Sequence, residues 1–321
     1  MSDKNINAER KYIGIDIGGM TVKGIIIRHD GKVLAEDRIA TGCEDGGNAM
    51  CKNIVVLINK MLDNIGGNKG DIKGVGVGCP GLIDSKNGVV VFSGNLGLEN
   101  FPLAKAVSDK VGLPVKITND ANAAALGEAK FGAGQKYSDS ILVTLGTGVG
   151  GGIIIDGKLF EGGNSAGTEI GHTVIEMGGY PCTCGRWGCF ECYASATALM
   201  RKTKEAMEED TGSEMWKTYT PQTISGKTPF EYAETDISAK QVVDWYVKHL
   251  ACGITNLVNV FRPQVVMLGG GVSEQDERLT VPVQRLVDKD IFAGTDFAPV
   301  KVVKASLGSR AGAFGAAALI M

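Results

Sequence analysis

The chain has 321 residues, of which 44% are hydrophobic and 21% are charged, and its formal net charge is −3. This length is enough for two domains of ordinary size. The small negative charge and the lack of a long Lys/Arg run make nucleic acid and anionic membrane surfaces poor partners. The polar N-terminus and the lack of a long apolar run predict no signal peptide and no membrane span, so we expect a cytoplasmic protein.

Residues 1–11 are polar and are predicted to form a disordered tail, after which alternating hydrophobic residues and turn residues predict an α/β unit. The first three strands are expected to form an antiparallel meander. The predicted strands cover 12–19, 20–28, 32–40, 73–81 and 114–120, with a hairpin over 82–92 about Asn87-Gly88. The predicted helices cover 47–67, 102–112 and the Ala-rich segment that begins at Asp120.

A second unit is predicted to begin with a strand over 140–145, a glycine turn over 146–152 and a returning strand. This order repeats that of residues 12–28 and indicates an internal duplication. The polar segment 211–237 is predicted to be irregular and exposed. The remaining predicted elements are a helix over 194–210, a helix over 237–261 with Ser238 as candidate N-cap, a buried strand within 264–273 and a small-residue helix at the C-terminus.

One segment, 167–192, concentrates residues that bind metal ions. His172, Cys182, Cys184 and Cys189 carry the imidazole and thiolate groups that tetrahedral zinc prefers, and two glycines let the loop wrap tightly. The spacing predicts zinc held by these four residues, with Cys192 as a fifth candidate for four places. Four protein ligands leave no open position for a catalytic water, so such a zinc ion would be structural.

Disulfides and free thiols are the alternatives for these cysteines. Buried free cysteines behave as small hydrophobic residues, but packing alone does not explain so many within one Gly-rich loop. Disulfides need an oxidising compartment, which the expected cytoplasmic location does not provide.

Three glycine-rich segments are candidates for nucleotide binding: the strand–turn–strand segments 16–23 and 146–151, and Gly269–Gly271. The second matches G-x-G-x-x-G, but an apolar strand follows where a dinucleotide fingerprint needs a helix, and no Walker lysine follows either loop. Glycine turns can offer backbone N–H groups to phosphate oxygens, and Thr21, Thr147 and Lys23 could add donors. Either turn alone is more typical of an ordinary hairpin, but the two turns together with Asp16 and Gly269–Gly271 favour contacts with a nucleotide.

Seven segments in this order, DIGGMTVKG, GCPG, NDANAAALGE, LGTGVGGG, EIGH, CTCGRWGC and LGGG, resemble those of the ROK family of sugar kinases, most closely its bacterial glucokinases. The resemblance extends over nearly the whole chain, from about residue 12 to 320. Two residues depart from the family pattern: Cys79 replaces the more usual Ala or Val, and Thr168 replaces Gly or Ala.

The resemblance implies an α/β protein with a two-lobed actin/hexokinase-like (ribonuclease H-like) fold and a structural zinc loop. The small lobe would comprise 12–118 and 306–321, and the large lobe 119–305 would carry the zinc loop. ATP, Mg²⁺ and structural Zn²⁺ are the implied cofactors, and a hexose is the second substrate. The implied assembly is a homodimer or homotetramer.

The resemblance also implies roles for individual residues. The nucleotide-binding positions are Asp16, Gly18, Gly19, Thr21, Lys23, Gly146, Thr147, Gly148, Gly150, Gly151, Gly269, Gly270 and Gly271. The sugar-binding positions are Asn95, Asn119, Asp120, Glu169, His172 and Glu191, with Asp120 as the catalytic base. The zinc-binding positions are His172, Cys182, Cys184 and Cys189, which match the family residue for residue.

The implied reaction moves the γ-phosphoryl group of ATP to the 6-hydroxyl of a hexose, with glucose as the expected substrate. N-acetylglucosamine, N-acetylmannosamine, mannose and fructose remain alternatives. Asp120 would begin a helix, whose dipole favours the carboxylate, so we expect an ionised but weak base. Asp16 is expected to orient a hydrated Mg²⁺ ion.

Two non-enzymatic functions compete with a kinase. A sugar-sensing repressor of the same family would carry an N-terminal helix-turn-helix, for which the eleven residues before the first predicted strand are too few. A non-catalytic zinc scaffold would leave the glycine loops and NDANAA without a role.

Overall fold

The computed structural model describes residues 10–67 and 69–321. Most of the predicted N-terminal tail lies outside these residues, and Lys11 already begins the first strand. The strands are β1 (Lys11–Ile17), β2 (Thr21–Arg28), β3 (Val33–Ala40), β4 (Ile72–Cys79), β5 (Leu82–Asp84), β6 (Val89–Ser93), β7 (Leu98–Phe101), β8 (Val115–Asn119), β9 (Ser140–Leu145), β10 (Val149–Ile155), β11 (Lys158–Phe160), β12 (Val265–Gly269) and β13 (Lys301–Lys304). The helices are α1 (Gly47–Asn64), α2 (Leu103–Val111), α3 (Asp120–Phe131), α4 (Glu191–Ala194), α5 (Ala196–Glu209), α6 (Thr228–Tyr232), α7 (Ile237–Phe261), α8 (Glu277–Asp290) and α9 (Ala311–Ala318).

The first sheet has the strand order β3-β2-β1-β4-β8. Strands β1 to β3 form the predicted antiparallel meander, with Asp16 of β1 opposite Lys23 of β2. Strands β1, β4 and β8 run parallel, so their carboxyl ends lie at one edge of the sheet. That edge carries Asp16, Cys79 and Asn119, and carboxyl ends of parallel strands are where α/β proteins commonly bind ligands.

The second five-stranded sheet repeats this arrangement with the order β11-β10-β9-β12-β13. Each of its strands has a counterpart at the same place in the first sheet, which supports the predicted duplication. Strands β9, β12 and β13 are parallel, and Thr144 near the end of β9 lies opposite Gly269 at the end of β12. The glycines that follow β9 and β12 therefore emerge from the same edge.

The predicted hairpin about Asn87-Gly88 is confirmed as β5 and β6, and β7 adds a third strand to this small sheet. Asp84 stabilises its turn by accepting hydrogen bonds from the backbone and side chain of Asn87, at 3.1 and 2.7 Å. A short 3-10 helix, Gly94–Leu96, connects β6 to β7 and carries Asn95.

The C-terminal helix α9 packs against the first sheet and helix α3, and every one of its residues is buried. Its small side chains allow backbone-to-backbone contact. A Cβ atom at Gly14 of β1 would overlap the carbonyl oxygen of Ala313, and one at Gly76 of β4 would overlap that of Ala316. The predicted close-packing helix of small residues is confirmed.

Several sequence-based predictions were wrong. Segment 211–237 is not uniformly irregular and exposed, because it contains α6 and buries Met215 and Phe230, which are 0% and 4% exposed. The N-cap of α7 is Asp236 rather than Ser238, and its side chain accepts a hydrogen bond from the Ala239 N–H at 2.9 Å. The glycine turn after β9 is shorter than predicted, because β10 already begins at Val149. Elements of the described chain that were not predicted include β7, α4, α6, α8 and β13.

Two compact units divide the described chain. The first comprises residues up to Ser138, Gly152–Thr168 and Ser306–Met321, and the second comprises Asp139–Gly151 and Glu169–Ala305. Residues 119–138 and 152–168 belong to the first unit, whereas the predicted lobes placed them in the second; the lobe boundaries stay a prediction. No described helix is long and apolar enough to cross a lipid bilayer.

Candidate active site and metal-ligand cluster

Two carboxylates of the first unit lie beside Gly78, at the carboxyl edge of the first sheet. A Cβ atom at Gly78 would lie 3.8 Å from Oδ1 of Asp16 and 3.6 Å from the Cα atom of Asp120. Asp16 is near the end of β1, and Asp120 is the first residue of α3. The sequence separates these two acidic residues by about a hundred positions, and the parallel strands bring them together.

Asn119 caps helix α3. Its Oδ1 atom accepts hydrogen bonds from the N–H groups of Ala121 and Asn122, at 2.9 and 3.3 Å. Its Nδ2 atom donates to the carbonyl oxygen of Gly81 at 3.1 Å. Asp120 Oδ1 also accepts from the Ala121 N–H at 3.0 Å. The Asn119 side chain is therefore fixed by the backbone on both sides, which holds the carboxylate that follows it.

Burial shifts the pKa values of both carboxyl groups upward. Burial, together with the nearby charge of Asp120, raises the pKa of Asp16 to about 6, although Lys23 opposes the shift. Burial also raises the pKa of Asp120, against the lowering effect of hydrogen bonds from backbone N–H groups and Asn119. The direction expected for Asp120 from its helix terminus alone was wrong, because desolvation of the carboxylate outweighs the favourable N–H groups.

The first glycine loop, between β1 and β2, uses part of its own hydrogen-bonding capacity to close the turn. The Gly18 N–H donates to the Thr21 carbonyl oxygen at 2.9 Å. Gly19 differs, because a Cβ atom there would meet nothing within 4 Å. Lys23 lies opposite Asp16 and donates through Nζ to the Ser309 carbonyl oxygen at 3.2 Å. Gly19 is therefore the residue of this loop with open space beside it.

The second and third glycine loops meet at the edge of the second sheet. Gly146 donates to the Gly148 carbonyl oxygen at 3.1 Å, and Thr147 is exposed. Gly270, at φ 85°, packs against the backbone of Leu145, where a Cβ atom would lie 2.5 Å from the carbonyl oxygen. Gly271 has open space beside it. Two of the predicted nucleotide-binding residues, Gly150 and Gly151, lie in strand β10 instead of the turn.

The four predicted zinc ligands form one cluster in the second unit. One ligand atom from each of His172, Cys182, Cys184 and Cys189 lies within 4.8 Å of the others. Ligand atoms about 2.3 Å from a tetrahedral ion are about 3.8 Å apart. The Sγ atoms of Cys184 and Cys189 are 3.7 Å apart, and Cys182 Sγ is 3.6 Å from His172 Nδ1. Both the donor set and these spacings fit a tetrahedral zinc ion.

Cys192 is not part of this cluster. Its Sγ atom donates instead to the Pro181 carbonyl oxygen at 3.5 Å, and the side chain is buried beside Tyr193. The sequence predicted the four residues of the cluster and left Cys192 as a fifth candidate, because it lies close to Cys189 in the same segment.

Glu191 links the metal-ligand cluster to the second glycine loop. Its Oε1 atom accepts a hydrogen bond from Cys182 Sγ at 3.1 Å and lies 3.6 Å from His172 Nδ1. Its Oε2 atom lies 2.6 Å from where a Cβ atom of Gly148 would be, so only glycine fits there without displacing the carboxylate. Nδ1 of His172 faces the cluster, which leaves Nε2 for a different partner.

The remaining predicted sugar-binding residues, Asn95 and Glu169, are exposed. Glu169 precedes the 3-10 helix Ile170–His172, and its carbonyl oxygen accepts a hydrogen bond from the His172 N–H at 3.1 Å. The chain thus leads directly from Glu169 into the metal-ligand cluster.

Sequence reasoning missed the residues that support Asn119 and Asp120. Thr118 and Asn122, on either side of this pair, are buried and donate to or accept from side chains far away in sequence. Their partners are Glu161 and Thr168. The NDAN pattern drew attention to the acidic residue, and no spacing in the sequence pointed to these distant partners.

The profile of the ROK family matches residues 12–321, and the chain therefore belongs to the ROK family. Among its relatives is a glucokinase of Halalkalibacterium halodurans, with 37% identity over 98% of this chain and 96% of the relative. A xylose repressor of Caldicellulosiruptor bescii is 31% identical over 96% of this chain but only 77% of the relative.

A solved structure of a ROK family glucokinase from Streptomyces griseus, in complex with glucose and AMPPNP, is also similar. Its TM-score is 0.78 at 35% identity, covering 96% of this chain and 98% of that chain. Together with the two repeated sheets, this likeness confirms the expected actin/hexokinase-like fold.

Proposed function

We propose that this protein is an ATP-dependent glucokinase, which transfers the γ-phosphoryl group of ATP to the 6-hydroxyl of glucose. The observation that carries this proposal is the pairing of Asp16 and Asp120 at the carboxyl edge of the first sheet, in a chain that is 37% identical to a glucokinase. The family's repressors extend beyond the region they share with this chain, since it covers 77% of the xylose repressor.

Asp120 is the proposed catalytic base. It would accept a hydrogen bond from the attacking 6-hydroxyl and take its proton as the phosphoryl group is transferred. Burial raises the pKa of Asp120, which strengthens it as a base compared with an exposed aspartate. Asn119 fixes the start of α3 and so the position from which the carboxylate acts.

The glycine loops are the proposed nucleotide site. Gly19 and Gly271, which have open space beside them, are the positions where phosphate or nucleoside groups could approach the backbone closely. Mg²⁺ that enters with ATP would neutralise charge on the phosphates, and Asp16 is the carboxylate that would orient it. Only the ionised form of Asp16 can do so.

The proposed sugar-binding residues are Asn95, Asn119, Asp120, Glu169, His172 and Glu191. Carboxylates accept hydrogen bonds from sugar hydroxyls, and an imidazole nitrogen can donate or accept. We assign His172 Nδ1 to zinc and Nε2 to the sugar, because Nδ1 faces Cys182. A bound zinc ion would then fix the tautomer and ring orientation of His172.

Zinc at His172, Cys182, Cys184 and Cys189 is proposed to be structural. Four protein ligands complete a tetrahedral site, so the ion contributes folding energy to its loop and leaves the chemistry to Asp120. Cytoplasmic location and association into a homodimer or homotetramer remain predictions.

The direct test is ADP release with ATP and Mg²⁺ against glucose, mannose, fructose, N-acetylglucosamine and N-acetylmannosamine. We expect the highest kcat/KM with glucose. Preference for an N-acetyl sugar would show that the proposed substrate is wrong but would leave the proposed catalytic residues unchanged. Sugar binding without turnover, measured by calorimetry, would favour a regulator and overturn the kinase proposal.

A further inference from the structure

Thr168 has an unusual backbone conformation for its residue type. Its φ angle is 69°, in the left-handed region that β-branched residues rarely adopt. Strain of this kind persists only where the surrounding structure holds it in place. Thr168 stands immediately before Glu169, one of the proposed sugar-binding residues.

A buried asparagine holds the Thr168 side chain. The Thr168 hydroxyl lies 3.0 Å from Asn122 Oδ1 and 2.6 Å from the Gly167 carbonyl oxygen, so its single proton is shared between these acceptors. Asn122 is 2% exposed and lies in the first turn of α3. It is two residues from Asp120, on the same turn of helix that Asn119 caps.

The segment from Glu161 to Thr168, here called the strap, is fastened on the other side of Asp120 as well. Glu161 accepts hydrogen bonds from Thr118 at 2.5 Å and from Ser85 at 2.9 Å. Ser85 also shares a hydrogen bond with Ser165 of the strap at 3.0 Å. The strap is thus attached to the residues two before and two after Asp120.

The chain beyond the strap is fixed too. The Glu169 carbonyl oxygen accepts from the His172 N–H at 3.1 Å, and His172 belongs to the metal-ligand cluster. Ile170 packs against Gly151: a Cβ atom at Gly151 would overlap the Cδ1 atom of Ile170. Glu169 is therefore constrained from both directions, by Thr168 before it and by His172 after it.

We propose that Thr168 is a positioning residue for the sugar: its hydrogen bond to Asn122 fixes the backbone from which Glu169 reaches the substrate. This inference rests on the proposed function. Loss of the hydroxyl should leave the Glu169 carboxylate present but less well placed. The effect should fall on sugar binding, because Thr168 has no proposed contact with the nucleotide.

The test is Thr168→Val, which keeps the shape and the β-branch but removes the hydroxyl. Weakening of one hydrogen bond between Glu169 and the sugar predicts a rise of about five- to tenfold in KM for glucose. KM for ATP should stay as in the unaltered protein, and the loss of one buried hydrogen bond should lower the melting temperature by only about 2 °C. Thr168→Ser is the matched control, since it keeps the hydroxyl and should restore KM for glucose.

A double-mutant cycle tests whether Thr168 affects KM for glucose through its hydrogen bond to Asn122. Asn122→Ala should raise KM for glucose by a similar factor, and the double variant with Thr168→Val should be no worse than the single variants. Unchanged KM for glucose in Thr168→Val, or additive effects in the double variant, would overturn the inference. So would an equal rise in KM for ATP accompanied by a fall in melting temperature of about 10 °C or more, which would indicate a general loss of structure.

Failure of the kinase function and failure of the Thr168 role can be told apart. If the unaltered protein turns over another hexose, the same comparison applies with that sugar. If it turns over none, the kinase proposal fails, and calorimetric affinity for the sugars then replaces KM in the comparison of Thr168→Val with Thr168→Ser.

Discussion

Asp16 and Asp120 are two buried carboxyl groups. Burial disfavours the ionised form of both, and the nearby charge of Asp120 further disfavours ionisation of Asp16. Proteins keep such pairs where the charge serves a ligand, because the same volume could otherwise hold a neutral side chain. Lys23 offsets only part of the cost at Asp16. Gly312 of α9 also lies against the Asp16 carboxylate, with a Cβ atom there only 2.7 Å from Oδ1, so the residue opposite must be glycine.

Asp120→Asn should fold and still bind glucose but lose turnover. The amide keeps the size and can still accept the Ala121 N–H, yet it cannot take a proton. We expect kcat to fall by about 10²–10⁴, with calorimetric affinity for glucose changed little. Asp109→Asn, an exposed position on α2, is the matched control. Activity within a few-fold of the control would remove Asp120 from the role of base.

Asp16→Asn should make the protein more stable at high pH and at the same time abolish its kinase activity. With an unfolded pKa of 3.8 and a folded pKa of about 6, the folded state holds the proton more tightly. The native protein therefore loses stability relative to Asp16→Asn as pH rises from the unfolded pKa of 3.8 to the folded pKa of about 6. Two pKa units correspond to about 3 kcal/mol.

The measurement is urea unfolding of the unaltered protein and Asp16→Asn at pH 4 and pH 8, without added nucleotide or Mg²⁺. The variant should match the unaltered protein at the lower pH and be more stable by about 3 kcal/mol at the higher pH, while its kinase activity is lost. An equal difference at both pH values would show that Asp16 does not carry a raised pKa.

At the scale of elements, the segment 167–192, which carries the metal-ligand cluster, holds residues with two proposed roles. His172 is a proposed ligand of both zinc and sugar, and Glu191 contacts Cys182 as well as the second glycine loop. Loss of the metal should therefore reach the proposed sugar site both through His172, itself a proposed zinc ligand, and through Glu191, which is not one.

Cys184→Ser should lower the zinc content and raise KM for glucose, because serine is a poor replacement for a thiolate ligand. Cys192→Ser is a close control: it changes a cysteine of the same loop that lies outside the cluster. We expect about one zinc per chain in Cys192→Ser by elemental analysis and about ten times less in Cys184→Ser. The reverse pattern would place Cys192 among the ligands in exchange for Cys184.

Regular elements could be predicted well from sequence where a single periodic signal extended over several residues. The meander, the Asn87-Gly88 hairpin and helix α3 are examples, since alternation and turn residues determine them locally. Helix α8 was missed because Pro282 lies inside it, and β13 has only four residues. In 211–237, a polar composition hid isolated buried side chains such as Met215 and Phe230.

The candidate site was predictable only in part, for a similar reason. The four residues of the metal-ligand cluster lie within one segment, so their types and spacing indicate a common ion. The hydrogen bond between Thr168 and Asn122 joins positions 46 residues apart, and nothing local indicates it. Likewise the sign of the Asp120 pKa shift depends on burial, which a helix N-terminus alone does not reveal.

At the scale of the whole molecule, the first unit is completed by the end of the chain. Residues from Ser306 onward return to it, and α9 packs on β1, β4 and α3. Buried Glu128 of α3 anchors this return. Its Oε1 atom accepts from the Leu307 N–H at 2.7 Å, and its Oε2 atom accepts from the Ser306 N–H at 3.1 Å and the Ala133 N–H at 2.9 Å.

Glu128→Gln should destabilise the protein although it barely changes the side-chain shape. A carboxylate can accept at both oxygens, whereas the amide must direct its NH₂ group at one set of N–H donors. At least one charge-assisted hydrogen bond is lost and a buried donor is left unpaired, which together cost about 2–4 kcal/mol. Glu208→Gln, on the exposed face of α5, is the control and should be neutral.

Differential scanning fluorimetry of the two variants decides the point. A lower melting temperature in Glu128→Gln alone, with KM for glucose and ATP unchanged below the transition, would mean that Glu128 holds the C-terminal segment in place without touching the chemistry. Equal melting temperatures would mean that the packing of small residues between α9 and the first sheet is sufficient. In that case Gly14→Ala and Gly76→Ala are the changes that should detach α9 from the first sheet, because each forces a Cβ atom into the backbone of α9.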